Sequence, residues 1–335
     1  MAHQIENNNC FFVGSAAWHS IGTVLDKPPT AEEAMKIANM GWKANKVKMF
    51  LADGSEVPDN FAIVRDSDNS TLGVVGNRYT VLQNEEAFNF FDPLIASGVA
   101  TYEAGGVLHK GRKVWILAKI GGDIEIGKGD VIQKYVVLSN THDGSGTVIA
   151  KVTPIRVVCQ NTLSAALAKN PEKASKKDSL TDTVTIRHTT KVGERTKEAS
   201  HLLKTINETY DKLGKVWHAM AKFKMPATAT NDYFMSVFPD GESERSKKPS
   251  LIRTELAGLL SNESLGQTLD TANGTLYGAY NAITARMEHY QSARKGASAD
   301  KHLDSLWFGQ RQQILNTAFN SAVDIMRKDG VSIDI

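Results

Sequence analysis

From Trp42 to about Leu82 the apolar residues of this 335-residue chain recur at every second position, and from Val192 to Phe223 at every third and fourth. A period of two suits extended strands, whereas a period near 3.6 suits helices. The two halves are therefore predicted to build different architectures: an α+β fold, with an N-terminal, mostly antiparallel, hairpin-rich sheet carrying short helices, followed by an α-helical C-terminal half. Residues 1–170 form the α+β domain, the candidate for nucleic-acid binding, and residues 171–335 the helical domain, the candidate for oligomerisation.

In the first half, "TAEEAMKIANM" (30–40) opens with its own start signal, because Thr30 can cap a helix while Glu33 reaches back to it. "WKANKVKMFL" (42–51), "SEVPDNFAIVRD" (55–66) and "TLGVVGNRYTVL" (71–82) alternate like strands and are separated by turn clusters. "NEEAFNFFDPLIASG" (84–98) predicts a helix capped by Asn84 and kinked or ended at Pro93. Four more strands are expected near 99–108, 113–120, 131–139 and 147–158, with "GGDIEIGKGD" (121–130) as a hairpin connection. "NTLSAALAKN" (161–170) then predicts a helix. In the second half, apolar positions 199, 202/203, 206, 210, 213, 216/217, 220 and 223 mark one long helix with a packing seam. A second seam runs through Leu276, Tyr280, Ile283, Met287 and Tyr290, and a third helix is expected from near His302 to about Arg327.

The formal net charge is only +2, so affinity for an anionic partner has to come from where charges sit rather than from their excess. No apolar run reaches the roughly 18–20 residues of a membrane span, and "MAHQIENNNCFF" lacks the order of a secretory signal. With two cysteines there is no disulfide framework, which suits a reducing cytoplasm.

Catalytic signals are sparse. Cys159 ends a strand before a predicted helix, where a helix dipole could activate a thiolate and His142 or His188 could serve as base. Burial at a strand end accounts for it more simply, and a cysteine hydrolase is the least favoured reading. Gly122, Gly127 and Lys128 have P-loop spacing, but Gly129 follows where Ser or Thr is needed, so no nucleotide cofactor is expected there. The nine histidines lack metal-ligand spacing, so no metal is expected. Glycines within "GVVGNRY" (73–79) mark a bulge or a close backbone approach.

Basic residues on the strands point elsewhere. In "KVWILAKI" (113–120) the positions Val114, Ile116, Ala118 and Ile120 are expected to face the core, which puts Lys113, Trp115, Leu117 and Lys119 on the other face. Lysines that meet phosphates beside a ring that stacks on a base suit single-stranded DNA. Lys46, Lys48, Arg78, Tyr79, Lys110, Arg112, Lys134, Lys151 and Arg156 extend this candidate surface. Solvated strand faces with edge lysines explain the same pattern without any ligand.

Five segments, "SAAWHSIGT" (15–23), "GNRYTVLQNEEAFNFFD" (76–92), "TPIRVVCQNTL" (153–163), "TLYGAYNAIT" (275–284) and "DSLWFGQRQQILNTAF" (304–319), resemble the phage/plasmid-like protein family, a domain of unknown function found in phages, prophages and plasmids. The resemblance covers nearly the whole chain and implies a role in the DNA metabolism of mobile elements, with no catalytic residues to carry over. In outline the element order is similar to that of phage single-strand annealing proteins. That similarity implies a non-enzymatic protein of recombination that assembles into rings or filaments and meets other host or phage recombination proteins. The alternative is a counter-defence or regulatory protein that binds a host protein or a signalling nucleotide.

Overall fold

In the computed structural model the described residues are 9–14, 22–88, 92–145, 148–158, 161–162, 183–186, 192–240, 248–290, 305–307 and 309–333. The strands are β1 (Cys10–Val13), β2 (Thr23–Leu25), β3 (Ala44–Phe50), β4 (Glu56–Arg65), β5 (Thr71–Gly76), β6 (Ala100–Leu108), β7 (Lys113–Gly127), β8 (Asp130–Thr141), β9 (Val148–Val152), β10 (Ile155–Arg156), β11 (Asn161–Thr162) and β12 (Thr183–Ile186). The helices are α1 (Ala31–Ile37), α2 (Asn84–Phe88), α3 (Asp92–Ala96), α4 (Val192–Lys222), α5 (Ala227–Val237), α6 (Lys248–Leu259), α7 (Leu276–Ala285) and α8 (Gln310–Lys328). This is an α+β protein with a largely antiparallel sheet region followed by a helical half.

The main sheet runs β11-β10-β8-β7-β6-β1-β2, with β9 also on β8 and β12 on β9. Its pairings are antiparallel except β1 with β2. β3, β4 and β5 form a separate antiparallel sheet. The centre of the molecule is the long β7–β8 hairpin. "GGDIEIG" turns out to be strand rather than connection: β7 runs on to Gly127 past a register shift between Ile120 and Ile124. Gly122 supplies the left-handed backbone of that irregularity, with φ at +82°.

Local signals explain several boundaries. Thr30 accepts from the Glu33 N–H while Glu33 Oε2 accepts from the Thr30 N–H at 2.8 Å, so the predicted capping box forms. Of the helix expected over 84–98, the described segments Asn84–Phe88 and Asp92–Ala96 are helical, and residues 89–91 lie outside the described residues. Asn161 and Thr162, expected to start a helix, instead pair with Arg156 and Ile155 as β11, and the rest of that predicted helix lies outside the described residues. At Gly73 a Cβ would sit 2.5 Å from the Asp143 Cα. The glycine therefore marks a close backbone approach, between the small sheet and the β8–β9 turn.

The α4 seam is buried at Ile206, Tyr210, Leu213, Val216, Trp217 and Met220. α7 is buried on every side rather than along one stripe, and it continues into a π-helical turn, Arg286–Tyr290. One continuous core joins the halves, from Phe11 and Trp115 to Trp217, Tyr280 and Phe319. Where β9 ends and β10 begins, the Tyr210 hydroxyl accepts from the Tyr135 N–H at 2.8 Å and donates to its carbonyl at 2.6 Å, standing in for a strand partner.

The second face of β7 is the main correction to the expected binding surface. Trp115 is 1% exposed and Leu117 5%, as buried as Ile116 and Ile120 on the opposite face. Trp307 from the helical half packs edge-on against Trp115, with ring centroids 4.8 Å apart. A strand covered on both sides keeps apolar residues on both, so Trp115 belongs to the core and has no stacking surface to offer a base.

Candidate functional site

The twelve predicted site residues divide by what the fold does with them. Three are interior. Trp115 is described above. Lys151 is 7% exposed and donates from Nζ to the Trp307 carbonyl at 2.6 Å. Arg156, fully buried, makes a two-pronged pair with Asp130 at 2.7 and 2.6 Å and donates to the carbonyls of Leu265 and Gly266 at 2.9 and 3.2 Å. Its guanidinium also lies 5.0 Å from the centroid of the Tyr277 ring, and Thr271 donates to Asp130. Lys151 and Arg156 thus tie the sheet to the helical half. Arg156, buried, paired and hydrogen-bonded on both prongs, has no free donor to offer a phosphate, and Lys151 is enclosed away from one.

Five more are engaged nearer the surface. Lys46 turns inward, donating to the carbonyls of Asn77 at 2.7 Å and Tyr79 at 2.9 Å over the Phe61 ring. Tyr79 donates to the Thr141 carbonyl at 3.0 Å, and burial first, then Asp143, raises its phenol pKa. Lys48 pairs with Glu56 at 2.9 Å, an exposed contact worth little. Lys119 lies near Glu103, whose carboxyl is raised by burial and eased down by Thr101 and Lys119. Lys134 stands 5.6 Å from the Tyr210 ring centroid.

The remaining four, Arg78, Lys110, Arg112 and Lys113, gather at the end of the β7–β8 hairpin opposite its tip. Arg78, Lys110 and Arg112 are exposed and Lys113 half-buried. The β6–β7 connection is a left-handed turn: His109, Lys110 and Gly111 have φ of +52°, +58° and +92° in succession. Left-handed backbone is unfavourable for a residue with a Cβ by roughly 1–2 kcal/mol, so two such residues in a row need outside support. The small sheet supplies it, since a Cβ on Gly111 would lie 3.1 Å from Arg65 Nη1 and 3.3 Å from Leu72. The Arg112 carbonyl accepts from the His142 N–H at 2.8 Å, and Lys113 pairs with Thr141. The Tyr79 bond to Thr141 brings the neighbouring Arg78 to the same end.

Beneath the turn lies a polar knot. His142 is fully buried, its Nε2 2.7 Å from Asn84 Oδ1 and its ring edge-on to Trp42 at 5.0 Å. Since Asn84 Oδ1 can only accept, Nε2 carries the proton. Asn84 in turn donates to the Met40 carbonyl at 2.8 Å. Burial lowers the His142 pKa to about 4, against a smaller opposing pull from Asp143. The candidate Cys159 and His188 lie outside the described residues, and His142 is committed to Asn84.

A second feature went unread in the sequence. An open cavity of about 700 Å³ runs along α4, with Ile124, Tyr210, Ala219, Phe223 and Val331 among its apolar lining and Asp211, Lys215, His218 and Lys222 along its helical wall. These four are spaced by four, three and four, a polar stripe interrupted by Gly214. Apolar periodicity marks only the buried seam of the helix, and by sequence this stripe is indistinguishable from an ordinary solvated face. Among the described residues, no group of three or more His, Cys, Asp or Glu side chains could hold a metal ion, and no helix is long and apolar enough to cross a membrane.

The class these features define is an α+β protein that presents cations at one end of a covered sheet and a mixed trough on its longest helix. The sequence model of a family described as a domain of unknown function, DUF932, matches residues 71–307, and the chain belongs to that family. No curated protein and no solved structure matches it.

Proposed function

We propose that this is a non-enzymatic protein of phage or plasmid recombination that binds single-stranded DNA through the end of the sheet bearing Arg78, Lys110, Arg112 and Lys113. The observation that carries this reading is the left-handed turn. Backbone strain maintained by surrounding structure is a pointer to function, and here it displays two exposed cations, Lys110 and Arg112, on a rigid support. Phosphate contacts of this kind supply affinity without reading sequence. With Trp115 buried and Tyr79 bonded to Thr141, contact is dominated by the backbone of the strand rather than by stacked bases. The resemblance to phage and plasmid proteins supports a task in DNA metabolism, and the outline shared with phage single-strand annealing proteins supports annealing as that task. The α4 seam from Ile206 to Met220 and α7 itself are buried within the chain, so a ring or filament would be built from other surfaces.

Fluorescence anisotropy with a labelled oligothymidylate at low and moderate salt tests the reading. Binding is expected to weaken steeply with salt. Lys110→Glu with Arg112→Glu is expected to lower affinity by roughly tenfold or more and to flatten the log–log salt slope by about 1.4, at ~0.7 per lost single-strand phosphate contact. Affinity no greater than that of an unrelated protein of similar isoelectric point, or unchanged by the double substitution, would end it.

A further inference from the structure

We infer that the trough along α4 is a binding site for a nucleoside phosphate. The inference concerns a different surface from the DNA reading and does not depend on it. Three properties of the trough select the ligand. The first is size: at about 700 Å³ it falls within the roughly 300–1,000 Å³ of small-molecule sites and has an apolar floor. Ile124 from β7 meets the helix there at Gly214, where an added Cβ would lie at ordinary contact distance, 3.6 Å. A flat ring system is the polar-edged shape such a floor accepts.

The second is charge. Lys215 and Lys222 are exposed on one helical wall and separated by seven residues, roughly 10 Å along the axis. Two four-carbon side chains can converge across that distance on a diphosphate.

The third is the alternation of acceptors with the cations. The Nδ1 of His218 lies 2.7 Å from the Gly214 carbonyl, which can only accept, so Nδ1 carries a proton and Nε2 is the acceptor whenever the ring is neutral. Asp211, at the Tyr210 end, is a second acceptor. A wall that accepts at Asp211 and His218 and attracts anions at Lys215 and Lys222 fits a molecule with hydroxyl or amino hydrogens and phosphates on the same body. A fatty acid has no such donors, and an inorganic polyphosphate has nothing for the floor.

Isothermal titration with ADP, adenosine, pyrophosphate and laurate decides it. ADP is expected to bind with Kd below about 1 mM, and adenosine and pyrophosphate each at least tenfold more weakly, tenfold being about 1.4 kcal/mol. Ala219→Trp, which fills the trough, and Lys215→Glu with Lys222→Glu should each weaken ADP at least tenfold, with unchanged circular dichroism and melting as the folding control. Lys110→Glu with Arg112→Glu should leave ADP binding as it is while lowering oligothymidylate binding, which separates the two sites. Absence of ADP binding at several times 1 mM, indifference to Ala219→Trp, preference for laurate, or loss of ADP binding in the Lys110/Arg112 variant would each overturn the assignment.

Discussion

At the tip of the β7–β8 hairpin, Arg156 is enclosed by Asp130, Tyr277 and two carbonyls of the helical half; at the other end of the same hairpin, Lys110 and Arg112 stand in solvent on a left-handed turn. Both ends supply basic residues from strand ends, and in the sequence they look alike. What separates them is the layer packed against each. The helical half closes over the tip and converts a cation into a cross-link, whereas the small sheet braces the other end from behind and leaves its cations outward. A basic residue on a strand is a site or a fastening according to its cover.

Removing half of the fastening should have the largest effect. Asp130→Ala or Arg156→Ala leaves an uncompensated buried charge and is expected to destabilise by about 3–5 kcal/mol, read from the urea midpoint. A loss under about 1 kcal/mol, the range of a surface pair, would erase the contrast between the ends.

The opposite end has its own vulnerability, to acid. His142 is neutral in the folded protein, with its pKa lowered to about 4, and ordinary when unfolded, near 6.5. Between those values the unfolded chain binds more protons, so stability is fully present above about pH 6.5, declines as pH falls, and levels off below about 4, a loss on the order of 3 kcal/mol. His142→Gln should flatten that part of the pH profile; a wild-type profile already flat from pH 7 to 4 would show that the knot under the turn does not bury a neutral imidazole.

Tyr210→Phe, between the ends, strips the Tyr135 backbone of its stand-in partner and is expected to cost about 1–3 kcal/mol. No change in melting would mean that water replaces the hydroxyl there. Smallest is Lys110→Gly, which relieves left-handed backbone and should stabilise by roughly 1 kcal/mol while weakening oligothymidylate binding. Destabilisation would mean that the Lys110 side chain is structural, bringing this end closer in kind to the other.

Much of the scaffold was legible beforehand. The capping box at Thr30, the three strands between 42 and 82, the α4 seam and the close approach at Gly73 all follow from local chemistry or short-range periodicity. The candidate surface was legible only in part. Lys110, Arg112 and Lys113 are neighbours in the chain, so their clustering needed no fold. Trp115 was misplaced because alternation shows which residues share a face but not whether that face is covered. Lys151 and Arg156 were misread because their partners, Trp307 and Asp130 with Leu265, Gly266 and Tyr277, lie up to 156 residues away.

The amino-acid order alone determined where strands and helices form, since side-chain period, caps and turn residues act over a few positions. It also determined that no excess of charge would draw in an anion. Tertiary structure decided which cations remain outside, that Ile124 and α4 line one trough, and that a histidine in a turn is buried neutral. These outcomes depend on desolvation and on partners brought together from distant positions, and neither quantity exists until the layers have packed.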